Sequence, residues 1–359
     1  RPRALALEGT SASLLLADAA GRPLGPALMY DDSRARDRLQ AIRCVAPPEV
    51  PVHSAGSSLA KLLHLLDACA PLTPGFRALH QADWILGRLS GHFGLSDENN
   101  CLKLGYDAEA RCWPDWLQRL PLPPGCLPEV RIPGQPAGAL TTEAARLTGL
   151  PEGMELRAGT TDSTAAALAA GVSRPGDAVT ALGSTLVLKL VSERPVNAPG
   201  FGVYSHRFGE RWLVGGASNA GGAVCARYFT PERLAELSLR LDPMQDSGLD
   251  YYPLLEPGER FPVNDPDYPP RLTPRPADDL LFLHGLLEGL ARIEARGYAL
   301  LADLGAPAPR QVLSSGGGAL NPAWRAMRER LLGVPVRLAV HQEAAYGSAL
   351  LARNQRFGD

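Results

Sequence analysis

Features that would assign the chain to a membrane-bound or nucleic-acid-binding class are missing from its 359 residues. No apolar run approaches the roughly 20 residues that a membrane-spanning helix needs. The first residues also lack the basic-then-apolar pattern of a secretory signal. The net charge of −2 is too small to attract nucleic acid or an anionic membrane surface. We therefore expect a cytoplasmic protein with no nucleic acid and no membrane among its partners.

Lysine is scarce, and the cysteines follow no metal-binding spacing. The 36 basic residues include only three lysines, Lys61, Lys103 and Lys189. The six cysteines form no CxxC or His/Cys pattern, so we predict reduced thiols and no zinc site. The remaining composition, 45% hydrophobic and 21% charged, is ordinary for a globular protein. A chain of this length is long enough for two domains.

Strand and helix patterns alternate along the chain without internal repeats. A helix is predicted over 57–70, where Ser57 and Ser58 can cap a segment whose leucines recur on one face. The proline-rich stretch 121–138 is predicted to be an ordered loop. Further strands are predicted at 3–7, 12–17, 26–30, 154–159, 177–182, 186–192 and 335–339, and further helices at 140–150, 278–303 and 344–353. This mixture of β-hairpins and βα units predicts α/β domains built on mixed sheets.

The segment AGTTDSTAAALAAG places Asp162 where a predicted strand ends and an alanine-rich helix begins. One role for this residue is the N-cap of the helix, a position that aspartate fills well. The other is a general base that takes a proton from a substrate hydroxyl. The residues alone leave both roles open.

Two further loops combine glycine with small polar residues. Gly183, Ser184 and Thr185 join two predicted strands, either as a plain hairpin turn or as a loop whose backbone N–H groups surround a phosphate. The triplet from Gly316 to Gly318 follows a predicted strand, and such glycines let a nucleotide approach the backbone closely. The next helix is predicted to begin with Asn321 as its cap and a proline at its first position. Each loop is a weak signal by itself.

The order of these segments carries more information than any one of them. AGTTDSTAAALAAG, TALGST, GGASNAGGA, SSGGGALNPAWRAMRERLLGVPV and EAAYGSALLA follow one another along the chain. This order resembles the FGGY carbohydrate kinases, and in particular their D-ribulose kinase branch, which includes xylulose-kinase-like proteins. The resemblance covers essentially the whole chain, beginning at LEGTSASLLLADAAGRPLGPALMYDDSRA.

The resemblance implies two actin/hexokinase-like (ribonuclease H-like) domains, each with a mixed sheet flanked by helices, and a cleft between them. Residues 1–171 would form the sugar-binding domain and residues 172–341 the nucleotide-binding domain. A C-terminal helix within 342–359 would pack back on the first domain. The implied activity is ATP-dependent phosphorylation of a small ketose or polyol, most simply D-ribulose or xylulose, with ATP and Mg²⁺ as cofactors.

The resemblance also implies site residues. Asp162 would be the catalytic base and would contribute to holding the metal, and Ser11, Asp162 and Ser163 would contact the sugar. The nucleotide would be held by Gly183, Ser184, Thr185, Gly316, Gly317, Gly318 and Asn321.

Glu8-Gly9-Thr10, near the start of the sequence, resembles the Asp-x-Gly-Thr hairpin that binds ATP phosphates in these kinases. The resemblance places this segment later in the family pattern, on the sugar side, and we expect the true phosphate hairpin to be missing from these residues. A catalytically impaired protein that binds sugar or nucleotide is therefore an alternative. An actin- or chaperone-type ATPase shares the expected fold but not the sugar-side segments.

Overall fold

A computed structural model of the chain describes residues 2–353. Its β-strands are Ala4–Gly9 (β1), Leu14–Ala17 (β2), Arg77–His80 (β3), Leu95–Asp97 (β4), Glu129–Arg131 (β5), Pro136–Ala139 (β6), Glu155–Thr161 (β7), Asp177–Leu182 (β8), Leu186–Ser192 (β9), Tyr204–Phe208 (β10), Arg211–Ala217 (β11), Gln311–Ser315 (β12) and Val336–Leu338 (β13). Its α-helices are Leu39–Arg43 (α1), Ser58–Ala68 (α2), Gln81–Ser90 (α3), Thr142–Thr148 (α4), Asp162–Ala170 (α5), Gly222–Tyr228 (α6), Pro231–Ser238 (α7), Asp279–Asp303 (α8), Pro322–Leu332 (α9) and Ala344–Ala352 (α10). Short 3₁₀ helices cover Arg34–Arg38, Cys101–Leu104, Asp115–Arg119, Pro199–Phe201 and Gly317–Leu320.

The described residues divide into two compact units. The first comprises residues 2–169, 206–209 and 343–353, and the second comprises residues 170–205 and 210–342. Strands and helices alternate within both units, so the α/β prediction is confirmed. The predicted C-terminal helix is present as α10 and belongs to the first unit; residues 354–359 of that prediction lie outside the described part of the chain.

The first unit is organised by a three-stranded mixed sheet in the order β1-β7-β6. β1 and β7 run parallel, and Gly9 at the end of β1 lies opposite Thr161 at the end of β7. The two strands approach very closely, because a Cβ on Gly159 would lie 1.6 Å from the Leu7 carbonyl oxygen. The loop after β1 and the start of α5 therefore emerge side by side.

A leucine-rich core beside this sheet is built on α2. The side chain of Ser57 accepts a hydrogen bond from the Ala60 N–H and caps the helix. The leucines that recur at helical spacing, Leu59, Leu62, Leu63 and Leu66, are all buried. Both features confirm the helix that the sequence predicts in this region.

Lys61 on α2 has its ammonium group inside this unit. Its side chain is fully buried, and its Nζ donates to the carbonyl oxygens of Ala12 at 2.8 Å, Met29 at 2.6 Å and Tyr30 at 3.4 Å. Burial lowers the pKa of Lys61 to about 8. This one side chain ties the turn after β1 to the segment around residue 30.

The second unit contains a six-stranded sheet in the order β10-β11-β9-β8-β12-β13. β12 pairs in parallel with both β8 and β13, whereas β9 is antiparallel to β8 and β11. Ser315, the last residue of β12, lies opposite Ala181 near the end of β8. Since the carboxyl ends of parallel strands meet at one edge of a sheet, the loops after β8 and β12 are neighbours.

Helix α8 packs its buried face into the core of the second unit. Asp278 caps it by accepting a hydrogen bond from the Leu280 N–H. Buried aromatic and aliphatic side chains, including Phe282, Leu286 and Leu290, face the core. None of the helices within residues 2–353 has both the length and the apolar character needed to cross a membrane.

Two of the predicted segments differ from the structure. The strand predicted at 26–30 is reduced to a single antiparallel bridge between Leu28 and Leu14, and the carbonyls of Met29 and Tyr30 that follow accept hydrogen bonds from Lys61. The loop predicted at 121–138 contains β5 and most of β6. These strands are only three and four residues long, and the prolines and glycines within β6 and on either side of β5 hide them from pattern-based prediction.

The buried ammonium group of Lys61 predicts an unusual pH dependence. Its pKa of about 8 in the folded chain lies below the ordinary lysine value of about 10.4. Between these values the unfolded chain binds a proton that the folded chain has released, so this group makes unfolding less favourable as pH rises. The free energy of unfolding of the unsubstituted chain, relative to Lys61→Met, should therefore increase between pH 7 and pH 10.

Urea titrations of both proteins at the two pH values measure this difference. Arg88→Met, which removes an exposed positive charge from the same unit, is the control for the loss of positive charge alone. A difference between the unsubstituted chain and Lys61→Met that stays constant with pH would contradict the assignment.

Candidate functional site

The second unit contains a large pocket at the carboxyl ends of β8 and β12. Its volume is about 800 Å³. Five of the seven residues that the sequence predicts for nucleotide binding line it: Gly183, Ser184, Gly317, Gly318 and Asn321. They come from two loops more than 130 residues apart, and the parallel pairing of β8 with β12 brings these loops together. The volume is within the range of small-molecule sites.

The glycines at this pocket are required for different reasons. A Cβ on Gly318 would lie 2.4 Å from the ring of Trp324, and a Cβ on Gly221 would lie 2.4 Å from the Ser184 carbonyl oxygen. Both glycines therefore allow close packing behind the pocket. Gly317 is different, because no atom lies within 4 Å of the Cβ position. A side chain at Gly317 would extend into free space beside the pocket.

Asn321 lines the pocket, but the oxygen and the nitrogen of its side chain both make hydrogen bonds within the protein. Its Oδ1 accepts a hydrogen bond from the Trp324 N–H at 3.1 Å and so caps α9, and its Nδ2 donates to Ser238 Oγ at 2.8 Å. Pro322 follows at the first helical position. The capping role expected from the sequence is confirmed, and Asn321 shapes the pocket through the start of α9.

Two predicted nucleotide residues, Thr185 and Gly316, do not line this pocket. Gly316 has φ +82°, and a Cβ there would lie 2.8 Å from the Leu182 carbonyl oxygen. Its N–H donates to Gln342 Oε1 at 3.2 Å. Gly316 therefore makes the tight turn that carries Gly317 and Gly318 to the pocket.

Several pocket residues were not identified from the sequence as site residues. They lie mainly on α6 and on the segment that leads into α7, and they include Gly222, Ala223, Ala226, Arg227, Tyr228, Phe229, Thr230 and Leu234. Leu287 of α8 and Trp324 of α9 complete the lining. The GGASNAGGA segment was the available signal for α6, whereas nothing in the local pattern distinguishes Tyr228 or Leu287 from ordinary core residues.

The first unit brings the predicted sugar-side residues to one sheet edge. Asp162 is the first residue of α5 and directly follows β7. Its Oδ1 accepts a hydrogen bond from the Ser163 N–H at 2.6 Å. Because β1 and β7 are parallel and end together, the turn that contains Ser11 lies beside Asp162 and Ser163.

The turn that carries Ser11 is fixed by its neighbours. Gln81 Oε1 accepts hydrogen bonds from both the N–H and the hydroxyl of Thr10, at 3.0 and 2.9 Å. The hydroxyls of Thr10 and Ser13 lie 2.6 Å apart. Ala12 has φ +67°, an uncommon value for a residue with a Cβ. Ser11 is thus presented by a rigid turn, although the turn strains the residue after it.

Glu8 adds a second acidic group to this edge. Its Oε2 is buried and has no hydrogen-bond partner among the described residues. Burial raises the pKa of Glu8, and the negative charges of Asp162 and Glu343 raise it further. The segment Glu8-Gly9-Thr10, which resembles an ATP-binding loop, therefore places a carboxyl group next to Asp162.

No group of three or more histidine, cysteine, aspartate or glutamate side chains within residues 2–353 is arranged to hold a metal ion. Mg²⁺ commonly uses only one or two carboxylates, with waters and substrate phosphates completing its shell. Asp162 is a carboxylate of the kind that Mg²⁺ uses.

Comparison with known proteins was made for sequence and for structure. Residues 178–354 match the model of the C-terminal domain of the FGGY family of carbohydrate kinases. The chain is 29% identical to a xylulose kinase from Streptomyces coelicolor, over 99% of this chain and 75% of that protein. It is 26% identical to an erythritol kinase from Brucella abortus, over 98% of this chain and 74% of that protein.

The fold has close structural counterparts. The xylulose kinase from Rhodospirillum rubrum superposes with a TM-score of 0.84 at 25% identity, covering 98% of this chain and 75% of that one. The actin/hexokinase-like fold class expected from the sequence is thereby confirmed. These relatives are all kinases by name, and the alternative of a binding protein without catalysis gains no support from them. Residues 178–354 belong to the C-terminal domain of the FGGY family of carbohydrate kinases.

Proposed function

We propose that this chain carries out ATP-dependent phosphorylation of a small ketose, with D-ribulose and D-xylulose as the first candidates. The observation that carries the proposal is the pocket of about 800 Å³ where the loops after β8 and β12 meet. Five residues chosen from the sequence as nucleotide ligands lie on its wall. The related xylulose and erythritol kinases support a sugar or polyol as the acceptor.

The two units take separate roles in this proposal. The second unit supplies the nucleotide side, where Gly183 and Ser184 surround the phosphates and Gly317, Gly318 and Asn321 border the adenosine. The first unit supplies the sugar side, where Ser11 and Ser163 contact hydroxyl groups. Small residues at these loops allow the backbone N–H groups to approach an anion.

Asp162 is proposed to accept the proton of the attacking sugar hydroxyl as the oxygen bonds to the γ-phosphorus of ATP. The oxygen–phosphorus bond to ADP breaks as the new bond forms, so that ADP leaves with the electron pair. Asp162 interacts electrostatically with Glu8, because burial raises the pKa of Glu8 and the negative charges of Asp162 and Glu343 raise it further. When bound, Mg²⁺ neutralises charge on the phosphates, and Asp162 is the residue in this chain that would contribute to holding it.

ADP formation measured with D-ribulose, D-xylulose and erythritol tests the proposal. ATP without sugar gives the background rate. We expect sugar-dependent ADP formation with at least one ketose, and the acceptor that gives the highest kcat/KM identifies the substrate class. Hydrolysis at the same rate with and without every sugar would contradict a sugar kinase.

Replacing Asp162 by asparagine should remove the base and leave the nucleotide pocket of the other unit intact. Sugar-dependent turnover should fall by about 10²–10⁴-fold, while ADP affinity should stay within a few-fold. Steady-state kinetics and ADP titration calorimetry measure the two quantities. Asp279→Asn, which changes the first residue of α8, is the matched control for a lost carboxylate at a helix start. Unchanged turnover in Asp162→Asn would leave only a structural role for Asp162.

Replacing Gly317 by leucine should block the nucleotide pocket without unfolding the chain. The Cβ position is free of neighbours within 4 Å, so the melting temperature should change little, but the side chain occupies space reserved for the nucleoside. We expect ADP affinity to fall at least about tenfold, which is about 1.4 kcal/mol. Gly200→Leu is the control, because Gly200 in the same unit also has no atom within 4 Å of its Cβ position and does not line the pocket. Equal ADP affinity in both variants would contradict the assignment.

A further inference from the structure

The second unit contains a fully buried ion pair between α8 and α9. Arg328 Nε and Nη2 donate to the two carboxylate oxygens of Glu294, at 2.5 and 2.7 Å. Arg328 is 0% exposed and Glu294 is 1% exposed. Burial disfavours the charged guanidinium, but Glu294 outweighs this effect and the pKa of Arg328 is raised.

The ion pair is also bonded to two strands of the sheet. Thr180 of β8 donates its hydroxyl to Glu294 Oε1 at 2.5 Å, and Arg328 Nη1 donates to Ser314 Oγ of β12 at 2.7 Å. The hydroxyl of Tyr298 on α8 lies 2.8 Å from that of Thr180 and donates to the Val179 carbonyl oxygen at 3.2 Å. One network therefore joins two helices to two parallel strands.

Each segment held by the network leads directly to the pocket. Thr180 lies three residues before Gly183, and Ser314 lies three residues before Gly317. Arg328 lies two turns into α9, the helix that begins after Asn321. Three of the segments that line the pocket are thus tied to one another a few residues behind it, although none of the network residues lines the pocket.

A second buried glutamate on α8 provides an internal comparison. Glu288 Oε1 accepts from Arg330 Nη2 of α9 at 2.6 Å, and Glu288 Oε2 accepts from the Ser247 hydroxyl at 2.6 Å. It also joins α8 to α9 through an arginine. Unlike Glu294, Glu288 contacts the segment around Ser247 and no strand of the sheet among the described residues.

A buried ion pair is a poor means of stabilising a fold, because removing two charges from water offsets most of their attraction. The directional bonds of a carboxylate and a guanidinium do, however, fix the relative positions of the groups that they join. The best explanation of the Glu294 network is therefore positional.

We propose that Glu294 and Arg328 are positioning residues that hold the loops after β8 and β12 and the start of α9 at the separation that a nucleotide requires. The inference rests on the proposed function of the pocket and adds to it residues that never touch the ligand. The proposal distinguishes two similar ion pairs made by α8. The pair that contains Glu294 shapes the pocket, and the pair that contains Glu288 does not.

The test compares Glu294→Gln with Glu288→Gln, using ADP titration calorimetry on the full chain below the melting temperature of each variant. Thr180→Val and Ser247→Ala form a milder matched pair, since each removes one hydroxyl that donates to one of the two glutamates. We expect ADP affinity to fall more than tenfold in Glu294→Gln and about three- to tenfold in Thr180→Val, in line with the loss of one hydrogen bond. Glu288→Gln and Ser247→Ala should retain ADP affinity within twofold, even where their melting temperatures fall.

The inference would be overturned if, in both pairs of variants, ADP affinity fell only in proportion to the fall in melting temperature, whichever glutamate was affected. Unchanged ADP affinity in Thr180→Val would also overturn it. If Glu294→Gln does not fold, the pair Thr180→Val and Ser247→Ala decides the question by itself. Absence of ADP binding by the unsubstituted chain would contradict the proposed function, and with it this inference. The two failures are therefore distinguishable.

Discussion

Parallel strand pairing is the constraint on which the candidate sites of both units depend. β8 and β12 are separated by more than 120 residues of chain, yet their parallel register places the loops that follow them side by side. The same arrangement in the first unit sets the end of β1 beside the end of β7, and so the turn with Ser11 beside Asp162. In each unit the candidate residues lie at or near the ends of paired strands, and the pairing of these strands brings them together.

Charges buried behind these edges hold the loops in place. Lys61 bonds three backbone carbonyls behind the turn with Ser11, and Glu294 with Arg328 bonds the strands behind the glycine loops. In both units the charged group is excluded from solvent and meets several partners, which is the condition under which a buried charge is tolerated. Glu8 differs, since it has an oxygen without a hydrogen-bond partner among the described residues and lies near two other carboxyl groups. A group of this kind is more typical of a reaction centre than of a structural support.

Much of the fold and five of the residues that line the pocket in the second unit could be predicted from the sequence, because capping residues, leucine spacing and glycine triplets are local signals. The capping role of Asn321 and the helix containing Lys61 follow from such signals. The short strands β5 and β6 could not be predicted, since their pairing depends on partners far along the chain. For the same reason Tyr228, Leu287 and Trp324 could not be recognised as pocket residues, and the bridge at Leu28 could not be distinguished from a strand. The roles of Glu294 and Arg328 depend on four elements meeting in space, and no local pattern encodes such a meeting.

The central claim is that the edge where β8 and β12 end holds the nucleotide. Amide hydrogen exchange of the full chain with and without ADP tests this claim most directly. The account predicts that ADP slows exchange in two separate segments, 182–185 and 316–321, and leaves exchange in β5 and β6 of the other unit unchanged. Protection confined to the first unit, or the absence of protection in either segment at saturating ADP, would contradict it.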